Sequence, residues 1–403
     1  MSGTGVELAD LVARWVHVIA GIMWIGNSLL FNWLDRNLAP AGARPQTPRR
    51  LGIIWLLHSG GFYYVEKTLL DGASMPARLH WFKWQAYTTW WSGAALLLVV
   101  YYLGGRAVLE DPGVAALSHG QAVLVGAGAL LFGLALYEMM QRLVAPRAPG
   151  FAAAVWITGL AAIAVMLTRL LSGRAAFLHV GAMLGTIMAA NVVLTIVPSQ
   201  RALVAAALAG GSDSAELSAR AKRVSIHNNY FTFPVIALML SGHFPSLYGH
   251  AHGWIPLLVL IAGGAAVRHV LNIRFEFAAW RPALFATLTA TVAALYFGMR
   301  PGTAEPAVQA GGAGLPPTLA EARHVIDRRC AACHSVHQSD ASFGPAPGGV
   351  TFDTPEQILT RAARIRERAV ATRTMPPGNK TQITEEERAL LGRWAMTAVR
   401  GER

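Results

Sequence analysis

The stretch LVARWVHVIAGIMWIGNSLLFNWL, residues 11–34, carries one formal charge, Arg14, in a mostly apolar run. At ~1.5 Å per residue it reaches about 36 Å as a helix, more than the about 30 Å of a bilayer's hydrocarbon core. It lacks the basic leader and small-residue cleavage site of a signal peptide, so it reads as an uncleaved anchor. The rest of the composition follows it: 54% of the 403 residues are hydrophobic, 14% are charged, and mean hydropathy is +0.39. That balance is too apolar for a soluble chain of this length.

Further spans are expected at about 81–104, 118–138, 151–171, 176–198, 228–245, 253–271 and 281–299, making eight. The run LGIIWLLHSGGFYYVEKTL, 51–69, is left out of the count because Gly60 and Gly61 interrupt it and it carries the polar residues His58, Glu66 and Lys67. It reads as a segment lying on the membrane or re-entering it. Arginine placement supports this topology, since positive charge concentrates in cytoplasmic loops. Arg36, Arg44, Arg49 and Arg50 follow the first span, Arg142 and Arg147 the third, Arg201, Arg220, Lys222 and Arg223 the fifth, and a turn at 268–281 carries Arg268, Arg274 and Arg281. Arg169 and Arg174 run against the trend. The formal net charge of +12 is thus read as facing membrane lipid, with no nucleic acid as partner. An even span count puts both ends of the chain on the periplasmic side of a bacterial inner membrane.

Residues 301–317 are mostly Pro, Gly and Ala and read as a flexible linker. Beyond them the pattern is that of a small soluble domain, 318–403. Thr318 with Glu321, Thr354 with Gln357 behind Pro355, and Thr384 with Glu387 have capping-box spacing. Three helices are expected, at about 319–332, 355–369 and 385–400. The overall class is all-α: a polytopic membrane helix bundle, 1–300, joined to a three-helix domain.

The chain's two cysteines both lie in RCAACHS, 329–335, which leaves none for a disulfide framework, a four-cysteine zinc site or an iron–sulfur cluster. Cys330 and Cys333 are spaced to add across the vinyl groups of a porphyrin, with His334 next to them as a ligand to the heme iron. Downstream, TRTMPPGN holds Met375 among stiffening prolines, a candidate thioether ligand on the other face of the iron. A covalent c-type heme is exported before attachment, which agrees with a periplasmic terminus. Trp394 reads as packing near the first helix and the porphyrin.

In the membrane portion, polar residues at depth are informative because they are costly unless paired or ligated. His17, His119, His179 and His243 all fall in the periplasmic half. His17, in WVHVIAGIMW, and His179, in FLHVGAMLG, are the leading candidate ligands for a non-covalent heme b, with His119 third; the alternative is that each is a packed, hydrogen-bonded residue. On the cytoplasmic side, HWFKWQAYTTWW (80–91), RVSIHNNYFTFP (223–234) and RHVLNIRFEFAAWR (268–281) mix polar and aromatic groups. His227, Asn228, Asn229, Arg274 and Glu276 are candidates to bind a planar polar anion or exchange protons. An ordinary interfacial belt is the competing account. No nucleotide-binding or hydrolase motif appears.

Taken together, WVHVIAGIMWIGNSLLFNWLDRNL, HWFKWQAYTTWWSG, IHNNYFTFPV and the attached CAACH segment resemble the bacterial membrane-bound urate oxidases, or urate hydroxylases, whose membrane domain is fused to a periplasmic cytochrome c. The resemblance covers essentially the whole chain. It implies oxidation of urate to 5-hydroxyisourate in purine breakdown, with electrons passing to the c-type heme and on to a respiratory cytochrome or terminal oxidase. Cys330, Cys333, His334 and Met375 match the family's heme pattern; no urate-binding residue is carried over. Because a c-type heme takes one electron at a time, two sequential transfers or a second redox centre are needed. The rival reading is a membrane-anchored cytochrome c subunit or quinol oxidoreductase.

Overall fold

A computed structural model describes residues 3–39, 50–68, 75–103, 106–209, 215–249, 252–299, 316–340 and 346–401. All but the last two residues of the expected linker, 301–317, and Arg44 and Arg49 of the first basic loop lie outside the described residues.

Each of the eight expected spans is a helix. In chain order they are α1 (Gly3–Asn37), α2 (Trp84–Leu96, continued by a wider turn through Tyr102), α4 (His119–Met139), α5 (Pro149–Leu170), α6 (Gly173–Asn191), α8 (Ala215–Leu240), α9 (Trp254–Ile273) and α10 (Trp280–Gly298), with a short α3 (Arg106–Leu109) before α4 and α7 (Val197–Leu208) prolonging α6. Among the described residues, five stretches, Leu8–Asn37, His119–Val144, Pro149–Leu170, Gly173–Leu208 and Trp254–Ile273, are long and apolar enough to cross a membrane. The bundle is organised around α6, whose Phe177, Val180, Met183, Leu184 and Ile187 are wholly buried. Close packing relies on small residues: a Cβ on Gly133 of α4 would sit 2.1 Å from the Met183 sulfur. Outer helices do the opposite. Trp15 and Ile22 of α1 and Phe285 and Val292 of α10 are well exposed, a surface that suits lipid rather than water.

The expectation of an all-α chain is corrected at residues 50–68. Strands β1 (Arg50–His58) and β2 (Gly61–Thr68) pair antiparallel, Trp55 opposite Tyr64 and His58 opposite Gly61. Ser59 and Gly60 make the turn with φ of +50° and +76°, the left-handed pair that a two-residue hairpin of native twist requires. Trp55, Leu57 and Phe62 are exposed along it.

After the linker, α11 (Leu319–Arg329), α12 (Pro355–Leu359), α13 (Ala362–Ile365) and α14 (Glu385–Gly401) enclose a second core of Ile326, Ile358, Leu391 and Trp394. The middle expected helix is therefore split into α12 and α13. Capping boxes at Thr318 and Thr354 form as the spacing predicts, and the Thr384 hydroxyl accepts from the Glu387 amide while the Glu387 carboxylate accepts from the Thr384 amide. This small domain rests on one end of the bundle. Contact is backbone to backbone there: a Cβ on Gly249 would lie 2.6 Å from the Thr372 carbonyl oxygen.

Candidate functional site

The end of α11 runs into a tight turn in which the Cys333 and His334 amides both donate to the Cys330 carbonyl, at 3.2 and 2.9 Å. Cys330, Cys333 and His334 all line one cavity of about 1570 Å³, well above the about 300–1,000 Å³ that holds a drug-sized ligand. Met375 lines the same cavity, so the four residues expected to hold a c-type heme meet in space. His334 Nδ1 donates to the Val350 carbonyl at 2.9 Å, which fixes the ring and leaves Nε2 for an iron, the usual arrangement behind a ligating histidine. Burial pushes the Cys330 thiol up to about 12; it is held as a neutral thiol rather than a reactive thiolate. The Met375 segment is pinned from two sides, its amide donating to the Arg368 carbonyl at 3.0 Å and its carbonyl accepting from Arg388 Nη1 at 3.0 Å. This donor set and this space fit a covalent heme.

The other wall of the cavity belongs to the bundle, including Arg174, Phe177, Tyr248 and His252. Cations dominate the lining, with Arg361, Arg364, Arg368 and Lys380 on the small domain, against the acids Asp111 and Glu385. Porphyrin carboxylates would meet favourable charge there.

The bundle's histidines are held separately. His119 donates from Nε2 to the Tyr102 carbonyl at 2.8 Å and has Nδ1 2.6 Å from Glu110. His179 donates from Nδ1 to the Ala175 carbonyl and accepts from the Tyr102 hydroxyl at Nε2, using both nitrogens. His17 donates from Nδ1 to the Thr89 carbonyl at 2.9 Å; among the described residues its Nε2 has no hydrogen-bond partner. Both rings pack close against glycines, where a Cβ would lie 2.8 Å from His17 Cε1 at Gly93 and 2.6 Å from His179 Nε2 at Gly126. His243 ends a short turn after α8. Tyr102 thus joins His119 to His179, and His17 stands apart on the α1–α2 pair.

A second polar region lies at the far end of the bundle. The Tyr137 hydroxyl accepts from Asn191 Nδ2 at 3.0 Å and donates to His227 Nδ1 at 2.8 Å, and Asn191 also donates to Asn228 Oδ1. On the other side of α8, Asn229 Oδ1 accepts from Arg268 Nε at 2.9 Å and from Asn272 Nδ2 at 2.8 Å. His227, Asn228 and Asn229 therefore sit in polar networks, as anticipated. Arg274 and Glu276 do not join them: Arg274 stacks over Phe275, and Glu276 pairs with Arg36 at the end of α1. The sequence reading missed Tyr137, Asn191, Arg268 and Asn272. Arg268, counted there as a loop cation, is inside α9 and only 4% exposed. The overlooked signal was a cation within WIPLLVLIAGGAAVRHVLNI, where membrane depth makes charge expensive.

Comparison with curated proteins and with solved structures returned no match. A sequence model of the urate oxidase N-terminal family does match, over residues 4–299. The matched segment runs from the first turn of α1 to the end of α10 and takes in the histidines and both polar networks; the chain belongs to the urate oxidase N-terminal family and is a urate-related oxidoreductase.

Proposed function

We propose that the chain is a membrane-bound enzyme that oxidises urate to 5-hydroxyisourate and passes the electrons to a c-type heme carried by its own terminal domain, and from there to a respiratory acceptor in the periplasm. The observation that carries this reading is the shared cavity, walled on one side by the urate oxidase segment and on the other by Cys330, Cys333, His334 and Met375. The reaction balances with water as the oxygen source: urate and one water give 5-hydroxyisourate, two protons and two electrons. When bound, a heme supplies one-electron acceptance.

The residues of the chain do the rest. The two thiols would anchor the group, and the Val350 carbonyl orients His334. Arg388 and Arg368 hold the Met375 segment. Histidine and methionine together favour a relatively high potential, suited to electron transfer. The small domain rests on the bundle at Gly249 and forms one wall of the cavity. Support for the membrane setting comes from the five long apolar helices and the exposed apolar faces of α1 and α10. Eight spans would place both ends of the chain in the periplasm.

The test is anaerobic turnover. Detergent-purified protein with urate and a one-electron acceptor should form 5-hydroxyisourate without peroxide. Absence of urate turnover in protein that is reduced by a quinol would replace this reading with a quinol-oxidising one.

A further inference from the structure

Arg268 presents a charge that the fold does not balance. It is 4% exposed in α9, and among the described residues no carboxylate pairs with it. Its Nε donates to Asn229 Oδ1 at 2.9 Å, the Phe233 ring lies 5.5 Å from its guanidinium carbon, and no described hydrogen bond uses its Nη atoms. A buried cation without a counter-ion is strongly unfavourable by itself, and an ionisable group at membrane depth is there for a partner.

The surroundings specify what that partner is. Asn229, itself 4% exposed, spends its one amide oxygen on two donors, Arg268 and Asn272; this locks the guanidinium plane. Asn272 donates in that contact, yet its own Oδ1 is buried with no partner. The site therefore offers a planar cationic fork, which wants acceptors on an anion, beside one acceptor that wants an N–H. A planar anion whose ring edge alternates carbonyl oxygen and N–H satisfies both demands together. Urate, mostly a monoanion near neutral pH, has that edge.

We infer that Arg268, Asn229 and Asn272 form the substrate-anion site, Arg268 engaging the ring's carbonyl edge, Asn229 positioning Arg268, and Asn272 accepting from a ring N–H. The inference rests on the urate reading given above. Arg268 lies fourteen residues along α9 from Trp254, about 21 Å at helical rise, so the site is at the end of the bundle opposite the cavity. Substrate enters from that end.

Equilibrium binding of radiolabelled urate to full-length holoprotein, under anaerobic conditions with the heme pre-reduced by dithionite, tests this. R268M is expected to weaken binding about 10- to 100-fold and N272L about 5- to 10-fold, with R268K between wild type and R268M. Heme content and the reduced spectrum should be unchanged in all three. R268M within about twofold of wild type overturns the site while leaving the urate reading intact. Should R268M aggregate or lose heme, R268K and N272L decide: unchanged affinity in both overturns the site. A wild type that binds no urate overturns the urate reading itself, and the site with it.

Discussion

Replacing Arg388 by methionine tests how the Met375 segment is held. Arg388 lies on α14, is 6% exposed, and donates from Nη1 to the Ala369 and Met375 carbonyls. Methionine fills much of the same volume and donates nothing. Two largely enclosed carbonyls then lose their donor at about 1–3 kcal/mol each, so about 2–6 kcal/mol in all. Part of this falls on the whole domain and part on the segment alone. Even about 2–3 kcal/mol falling locally would raise the open population about 30- to 150-fold. In the heme-loaded protein proposed above, the thioether should then leave the iron well before the domain unfolds. Two measurements separate these events: the weak sulfur-to-iron absorption band of the oxidised heme, and far-ultraviolet circular dichroism on heating. In R388M the band should bleach tens of degrees below the helical transition, and the reduction potential should fall. R388K, which keeps the charge and N–H donors but loses the planar guanidinium and its reach, should sit between. A band of wild-type strength in R388M, with wild-type melting, would show that the segment does not depend on Arg388.

Three further outcomes are expected. C330A/C333A should lose the heme-stained band at full-length mass on denaturing gels; a band that persists assigns the attachment elsewhere. Burial pushes the Glu387 carboxyl upward, but hydrogen bonds from Arg329, the Thr384 amide and Arg328 outweigh it and hold the group below the usual carboxylate range. Its stabilisation is complete above the unfolded carboxylate pKa and is lost as pH falls through the depressed folded value. E387Q should therefore be less stable by about 2 kcal/mol at neutral pH and converge on wild type in acid, as followed by thermal melting; a constant gap across pH removes the linkage. A278C in the α9–α10 turn should be shielded from an impermeant thiol reagent in intact cells while T397C on α14 is labelled; equal labelling of both would force a recount of the spans.

Much of the architecture was legible because membrane helices and capped soluble helices both advertise themselves locally. The run 11–34 needs only length and apolarity to read as α1. Thr318, Thr354 and Thr384 mark helix starts by satisfying amides that any helix leaves open. Cys330, Cys333, His334 and Met375 were assignable to one cavity because heme chemistry sets their types and the first three fall within five consecutive residues. The hairpin at 50–68 was missed for a physical reason. Gly60 and Gly61 were weighed as helix breakers, while the Ser59–Gly60 pair between two apolar runs is also what a tight strand turn asks for. Arg268 was missed because charge near a span boundary was assigned to the loop; its burial comes from packing against α8, which no local pattern displays. The partners of Tyr137 and Asn191 lie 90 and 37 residues away, a pairing that one sequence does not encode locally.

The central claim is that electrons from urate reach the heme domain. The direct measurement is the visible spectrum of intact, oxidised, oxygen-free protein after adding urate in substoichiometric steps. The account predicts reduction of the c-type heme with two heme equivalents reduced for each urate consumed. A heme that dithionite reduces fully but urate leaves oxidised would contradict it.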